Sequence, residues 1–410
     1  MRLVVRRGFF ARAARVGVLS LASLTALVDC NAIIGTRDLT YSPRVGADGG
    51  DAATAADDSA LPETDAADAS PDLDAELDAT CSSNPLTDRK NCGRCGHDCL
   101  GGACADGACK PVTLASGQGQ PLGITLLNGY VYWTNHLSHE VRRARTDGTD
   151  QSLFAQNTAE FRRPSGIVTD GVAIYFAAIE LGTGGVFACP ASDCNGAALR
   201  RISSKSSHDV GIRGGTAYYT SILDGTLSRA SITGAGETAI STINTPFQIA
   251  VDATHAYLTS NENDIVRVPL GGGIPESVGS NRGDLAGGIF VDDARVYWTY
   301  TFYTKPGVIL ARDKATGVTT GYTNTARNPT NVIADSKLVY WITLGTSEQE
   351  RERNDGKLFA CPIAGCPSTG PLLLADGLEN GIGLALDDAA IYYTEIGLTG
   401  IGAVRKIAKP

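Results

Sequence analysis

Seven related strings decide the fold of this chain, and two of the clearest are GITLLNGYVYWTN at residues 123–135 and GIFVDDARVYWTY at residues 288–300. The other five are GIVTDGVAIYFAA (166–178), GIRGGTAYYTS (211–221), QIAVDATHAYLTS (248–260), NVIADSKLVYWIT (331–343) and GLALDDAAIYYTE (383–395). Each string carries a tyrosine at the same place, and these tyrosines are Tyr132, Tyr175, Tyr218, Tyr257, Tyr297, Tyr340 and Tyr392.

Each of the first six repeats, of about 40 residues, contains four short β-type runs. A first strand leads through a tight turn into a second strand that holds the tyrosine, and a third strand and a polar outer strand follow. This period and this strand content are typical of a β-propeller blade. We therefore predict an all-β fold with a seven-bladed propeller. The first strands are predicted to start at Gly123, Gly166, Gly211, Gln248, Gly288, Asn331 and Gly383, with a two-residue shorter turn in the third repeat.

The last repeat ends after its third strand, GAVRKIAKP, and has no outer strand of its own. A spare strand of the outer type, KPVTLASG, begins at Lys110, before the first repeat. We predict that residues 110–116 complete the seventh blade, so that the propeller spans residues 110–410. Such closure leaves no free sheet edge in the ring.

The triplets Tyr132-Trp133-Thr134 and Tyr297-Trp298-Thr299 resemble the YWTD-type propellers of lipoprotein receptors. The resemblance covers about 300 residues and implies a fold rather than a ligand. That family usually has six blades, whereas seven repeats are counted here. The aspartate that closes the family motif is also missing from every copy, where the chain has Asn135, Ala178, Ser221, Ser260, Tyr300, Thr343 and Glu395.

The N-terminal region has the pattern of an export signal. Five arginines precede an apolar run at residues 16–28, which is too short to span a bilayer but suits a signal peptide. Because Cys30 follows directly, the segment resembles a bacterial lipoprotein signal, with 1–29 removed and Cys30 lipidated. Leu27 fits that resemblance and Asp29 departs from it. The alternative is an ordinary cleaved signal peptide in which Cys30 is incidental.

The expected location is therefore the cell envelope, with the protein attached through lipid to the outer membrane or the cell surface. The stretch from Val5 to Phe10 also resembles a twin-arginine export motif, so the choice between that route and the general one stays open. Residues 46–80 carry eleven acidic side chains and no lysine or arginine. We predict that residues 30–80 form a disordered tether; a calcium-binding or wall-interacting tract is the alternative.

Ten of the eleven cysteines suit disulfide bonds in an exported protein. Residues 81–109 are predicted to form a small module held by disulfides, because they are too few and too rich in glycine to build an apolar core. Zinc binding by Cys92 and Cys95 with His97 is the alternative. The predicted disulfide cysteines are Cys81, Cys92, Cys95, Cys99, Cys104 and Cys109 in the module, in any of fifteen pairings, and Cys189 with Cys194 and Cys361 with Cys366.

Two repeated features look functional but suit the fold better. Five aspartates each lie five residues before the repeated tyrosine, and we interpret them as caps of the turn that follows the first strand rather than as a metal ring. The tyrosines and tryptophans are interpreted as core between blades rather than as a platform for ligand stacking. The aspartates are Asp170, Asp252, Asp292, Asp335 and Asp387.

Two classes of function remain. The first is a binding or adhesion propeller for an unknown glycan, peptide or protein, without a cofactor; a pI of about 5.1 argues against nucleic acid. The second is an exported lyase or lactonase with a calcium ion or a histidine at the channel mouth, where the loops carry His136, His139, Glu180 and His208. We favour binding, because no catalytic motif occurs. Exposed aromatic and cationic side chains are predicted to form the ligand site: Phe161, Arg162, Arg163, Tyr300, Phe302, Tyr303 and Lys305.

Overall fold

The computed structural model describes residues 84–410 except 157–158, 195–197, 261–263, 281–284, 302–305 and 346–353. The predicted signal peptide and tether, together with Cys30 and Cys81, lie outside the described residues. The described part contains no α-helix, and its strands form seven four-stranded antiparallel sheets and one two-stranded hairpin. The predicted all-β, seven-bladed propeller is therefore confirmed.

The strands are numbered in chain order, and each blade takes its first, second, third and outer strand in that order. The hairpin consists of β1 (Cys104–Ala105) and β2 (Ala108–Cys109). Blade 1 consists of β4 (Pro121–Leu127), β5 (Tyr130–Asn135), β6 (Glu140–Arg145) and β7 (Ser152–Gln156). Blade 2 consists of β8 (Pro164–Thr169), β9 (Ala173–Ala178), β10 (Gly185–Pro190) and β11 (Arg200–Ser203). Blade 3 consists of β12 (Asp209–Arg213), β13 (Thr216–Ser221), β14 (Thr226–Ser231) and β15 (Thr238–Thr242).

Blade 4 consists of β16 (Pro246–Val251), β17 (His255–Ser260), β18 (Asp264–Pro269) and β19 (Glu276–Ser280). Blade 5 consists of β20 (Leu285–Val291), β21 (Arg295–Thr301), β22 (Gly307–Asp313) and β23 (Thr319–Ala326). Blade 6 consists of β24 (Pro329–Ala334), β25 (Leu338–Thr343), β26 (Gly356–Pro362) and β27 (Leu372–Leu378). Blade 7 consists of β28 (Gly381–Leu386), β29 (Ala390–Glu395), β30 (Ile401–Ala408) and β3 (Val112–Gly119).

The ring closes between blades 7 and 1. First strands of successive blades contact each other around the ring, and β28 contacts β4 in the same way. The outer strand of blade 7 is β3, which pairs with β30 from Val112 opposite Lys406 to Gly119 opposite Ile401. The closing strand therefore comes from before the first repeat, but it occupies Val112–Gly119 instead of residues 110–116. Lys110 belongs to the junction before it, where its N–H donates to Ala103 O at 2.8 Å.

The threonine of the YWT triplet joins neighbouring blades. In blade 1, Thr134 Oγ1 accepts from the N–H of Gly123 at 3.0 Å and donates to Ser165 O of blade 2 at 2.7 Å. In blade 7, Thr394 Oγ1 accepts from the N–H of Gly383 and donates to Leu122 O of blade 1, both at 2.8 Å. A buried hydroxyl that is fully hydrogen-bonded in this way stabilises the interface between blades, including the one that closes the ring.

The same contact shows where the first strand of blade 3 begins. In blade 3 the N–H of Asp209 donates to the threonine of the blade, at 3.2 Å from Thr220 Oγ1. The N–H of Gln248 makes the same contact in blade 4. The prediction of Gly211 for this place was therefore wrong, and so was the shorter turn. Asp209, like its counterparts, lies nine residues before the repeated tyrosine. The equivalent residues around the ring are Gly123, Gly166, Asp209, Gln248, Gly288, Asn331 and Gly383.

The five repeated aspartates cap turns, as predicted. Asp170 Oδ1 accepts from the N–H groups of Val172 and Ala173 at 2.9 and 2.8 Å, and its Oδ2 accepts from Tyr175 OH at 2.8 Å. The other four aspartates make the same three contacts with their own turn and tyrosine. Because both oxygens of each carboxylate are occupied, the arrangement is structural.

The aromatic side chains form core between the sheets. Trp133, Trp298 and Trp341 are at most 1% exposed, and the repeated tyrosines are buried as well. Burial of side chains of this size supplies much of the apolar stabilisation of the ring. The interpretation of these residues as core is therefore confirmed.

The module before the propeller is held by disulfides and packs on blade 7. Cys92 bonds with Cys104 and Cys99 with Cys109, while Cys95 is disulfide-bonded too. Cysteines committed to disulfides do not bind zinc, so the disulfide prediction stands for these five. Three of them pack against Ala408 at the end of β30. In the propeller, the predicted pairs Cys189–Cys194 and Cys361–Cys366 are both present.

Candidate functional site

The two ends of the propeller differ in their loops. At one end lie the starts of the first strands and the loops between second and third strands; we call this end the mouth face. The opposite face carries the aspartate turns and the turns between third and outer strands. Loops of the mouth face are hydrogen-bonded to each other around the ring, for example through Gln120 N–H to Gly400 O at 2.8 Å and Leu137 N–H to Gly119 O at 3.1 Å.

Four exposed leucines lie in successive loops of the mouth face, from blade 7 to blade 3. Each follows the end of a second strand by two or three residues, so the repeat places them at equivalent positions around the opening. We call this set the leucine arc, and its members with their exposed fractions are Leu398 (41%), Leu137 (47%), Leu181 (70%) and Leu223 (55%). Leucines at this exposure on adjacent loops offer apolar side chains to a partner.

Two neutral imidazoles lie beneath the arc. His136 Nδ1 faces Pro164 O at 3.3 Å and His208 Nδ1 faces Phe247 O at 3.2 Å, so in each ring Nδ1 carries the proton and Nε2 has the lone pair. Burial lowers the pKa of His136 to about 3 and that of His208 to about 4. His136 Nε2 has no hydrogen-bond partner among the described residues.

Asp209 follows His208 at the innermost strand of blade 3. Burial raises the pKa of its carboxyl group to about 7, although the N–H groups of Ile249 and Val210 donate to it at 3.1 and 2.9 Å. Its surface is half-buried, which fits a side chain enclosed by the ring but reached by water. An acid that titrates near neutral pH at the mouth face is able to exchange a proton with a bound molecule.

Charged side chains lie in the mouth-face loops of blade 2, one of which also carries Leu181. Arg163 Nε lies 3.7 Å from Glu180 Oε2, and its backbone N–H donates to His139 Nδ1 at 3.1 Å. Arg162 is exposed beside them. Salt-bridged and polar groups around an apolar centre are the usual composition of a protein-binding surface.

The predicted aromatic site is corrected by the structure. Phe161 is fully buried, with its ring centroid 4.9 Å from that of Phe176, and Tyr300 is fully buried with its OH donating to Gly279 O at 3.3 Å. Phe161 packs onto blade 2, and Tyr300 packs between blades 4 and 5, because burial of a large ring outweighs its exposure in a loop. Of the seven predicted residues, Arg162 and Arg163 lie at the mouth face, whereas Phe302, Tyr303 and Lys305 lie outside the described residues.

Metal-binding groups are scarce in the described part of the chain. Its one cluster of three ligand atoms close enough to share an ion is formed by Cys92, Cys99 and Cys109, which are all in disulfides. His136, His208 and Asp209 do not form such a cluster. Among the described residues no helix is long and apolar enough to cross a membrane.

Solved structures that are similar to this chain at low sequence identity include the following two. The crystal structure of the computationally designed Ika8 protein is 11% identical, with a TM-score of 0.49, over 72% of this chain and 98% of that one. A chain of the nidogen/laminin complex is 14% identical, with a TM-score of 0.42, over 60% of this chain and 94% of that one. No protein-family profile and no curated protein matches the sequence. The lipoprotein and YWTD resemblances therefore depend on the quoted motifs alone.

Proposed function

We propose that this protein is a lipid-anchored binding propeller of the cell envelope that holds a protein or peptide ligand on its mouth face. The observation that carries the proposal is the leucine arc, four equivalent side chains exposed by 41–70% on consecutive blades. Leucine offers apolar contact and no hydrogen bond, so an apolar segment of a polypeptide suits this surface better than a glycan does. The rim formed by Arg162, Arg163 and Glu180 would orient such a ligand.

The ligand hypothesis is tested with a displayed random-peptide library on the immobilised protein. We expect enriched peptides with apolar anchors, and at least tenfold weaker binding to a variant with Leu137, Leu181, Leu223 and Leu398 replaced by Ser, because each truncated anchor loses apolar contact. The matched control replaces the similarly exposed Val172, Ile274 and Val318 of the opposite face by Ser. Equal binding to both variants, or binding to glycans or neutral vesicles instead of peptides, would contradict the proposal.

The anchor is tested separately. Mass spectrometry of the mature N-terminus is expected to find a diacylglyceryl-modified Cys30, and Cys30→Ser is expected to move the protein from the membrane fraction to the soluble one. An unmodified N-terminus downstream of Cys30 would show that the signal peptide is an ordinary cleaved one.

An exported enzyme of the lyase or lactonase type is the second candidate, and the raised pKa of Asp209 at the mouth face, next in sequence to the buried His208, favours it. In that case these two groups would transfer protons at the mouth, with or without calcium. Lactone hydrolysis or polyuronide cleavage that is lost in Asp209→Asn would support the enzyme. Turnover that is unchanged in this variant, or absent from the parent protein with and without calcium, would leave the binding function.

A further inference from the structure

Four blades carry an arginine or a lysine at the same position of the third strand, and in blade 4 this side chain has a different hydrogen-bond partner from that in the other three. The position lies directly opposite the repeated tyrosine in the strand register. It is occupied by Arg143 in blade 1, Arg229 in blade 3, Arg267 in blade 4 and Lys406 in blade 7.

In three of these blades the cation donates to a backbone carbonyl of the next blade. Arg143 Nη1 lies 2.9 Å from Ala191 O, Arg229 Nη1 lies 2.8 Å from Leu270 O, and Lys406 Nζ lies 2.9 Å from Thr146 O. Each acceptor belongs to the turn between third and outer strands on the opposite face. The repeat therefore pairs a cation with an oxygen across the boundary between blades.

Between blades 4 and 5, Arg267 makes no such contact with the turn of blade 5 among the described residues. Arg267 instead donates to Glu276 of its own blade, with Nε and Nη2 at 2.9 and 2.8 Å from Oε2. The turn of blade 5 presents a second cation, Lys314, whose Nζ is 2.7 Å from Asp252 Oδ2 and 5.4 Å from the ring centroid of Tyr257. A cavity of about 250 Å³ separates the two blades at this point.

The cavity has an excess of positive charge. Arg267, Arg312 and Lys314 line it, and no carboxylate does. Glu276 and Asp252 balance two of these cations, whereas Asp313 accepts from the N–H groups of its own turn. Among the described residues Arg312 has no ion pair and no side-chain hydrogen bond. A guanidinium with no partner at the wall of a cavity favours an anion there.

We propose that this cavity binds a small oxyanion, either as a free ion or as the phosphate, sulfate or carboxylate group of a larger ligand. The anion lies where the other blades have a contact between cation and carbonyl, and Arg312 provides its charge-assisted hydrogen bonds. The volume suits one tetrahedral oxyanion rather than a drug-sized molecule. This site lies on the face opposite the leucine arc and is independent of the proposed function.

The test compares inorganic phosphate, sulfate, acetate and a monosaccharide phosphate with sodium chloride at matched ionic strength. We expect at least one of the oxyanions to raise the melting temperature and to titrate calorimetrically with one site per chain. Arg312→Gln is expected to weaken binding at least tenfold, and Arg229→Gln, whose parent guanidinium already has an oxygen partner, is expected to retain it. A stronger response to the sugar phosphate than to free phosphate would identify a larger ligand.

Two results would overturn the oxyanion site. One is a response to chloride equal to that of every oxyanion, which would show general screening of charge. The other is parental affinity in Arg312→Gln. If that variant does not fold, Arg312→Lys is used in its place, because lysine keeps the positive charge. Its affinity for the oxyanion is expected to be measurable but weaker than that of the parent protein, since the bidentate contact is lost.

Discussion

The raised pKa of Asp209 makes the stability of the ring depend on pH. In the folded protein this pKa is about 7, because burial outweighs the two donated backbone N–H groups, and in the unfolded chain it is about 3.9. Between these values the folded state binds a proton that the unfolded state lacks, so the free energy of unfolding falls as pH rises from 4 to 7. Three pKa units correspond to a loss of about 4 kcal/mol, complete above pH 7.

Asp209→Asn removes the ionisation and keeps the shape of the protonated acid. We expect the variant to be less stable than the parent by about 1–3 kcal/mol at pH 4, because its amide offers one acceptor to the two N–H groups that Asp209 binds. Between pH 4 and pH 8 we expect it to gain up to about 4 kcal/mol relative to the parent. Urea unfolding at pH 4, 6 and 8, followed by the fluorescence of the buried tryptophans Trp133, Trp298 and Trp341, measures the difference.

Asp170→Asn is the control with the opposite sign. Burial alone would raise the pKa of Asp170, but the N–H groups of its own turn and Tyr175 OH donate to the carboxylate and lower this pKa below its usual value. The variant is therefore expected to be less stable than the parent at pH 8, with the difference shrinking as pH falls through the lowered pKa. If Asp209→Asn destabilised the protein equally at pH 4 and pH 8, Asp209 would be a satisfied carboxylate, and the argument from burial would be refuted.

Three further variants test the ring itself by thermal and urea unfolding. Gly383→Ala would place a methyl group 2.3 Å from a backbone oxygen of blade 1, so we expect a loss of about 1–3 kcal/mol, whereas Gly271→Ala, which meets no atom within 4 Å, should be nearly neutral. Thr394→Val leaves a buried N–H and a buried carbonyl of the closing interface unpaired, at a cost of about 1–3 kcal/mol; an unchanged midpoint would show that other contacts close the ring. Replacing Cys189 and Cys194 together by Ser is expected to cost about 2 kcal/mol for so short a loop, and a much larger loss would indicate a role beyond loop closure.

Most of the fold could be predicted because its determinants repeat. The tyrosine recurs with the blade, and the number of outer strands showed that a strand before the first repeat had to complete the last blade. The one error in register, at Gly211, came from matching glycines by identity. The spacing of the tyrosines already indicated Asp209, whose N–H makes the contact that Gly123 makes in blade 1.

The candidate site was predicted less well, because exposure within a loop depends on packing between blades. Phe161 looked available beside two arginines, yet the ring joins the core of blade 2 with Phe176 and Phe187. The leucine arc had a signal that was missed: Leu137, Leu181 and two further leucines follow the second strand by two or three residues. The cavity beside Arg312 could not be predicted, since the strand register does not determine whether Arg267 bonds to its own blade or to the next one.

The disulfide module determines how the propeller would respond to a pull on its N-terminal side. Any tension from residues before 84 enters the module first and not the closing strand β3. The module is cross-linked internally, packs against Ala408, and places His97 Nε2 at 2.8 Å from Lys409 O. Lys409 Nζ in turn lies 2.8 Å from Asp335 Oδ2 of blade 6. A load applied through residues before 84 would thus be shared between blades 6 and 7, and β3 would be protected from being peeled away from β30 one hydrogen bond at a time.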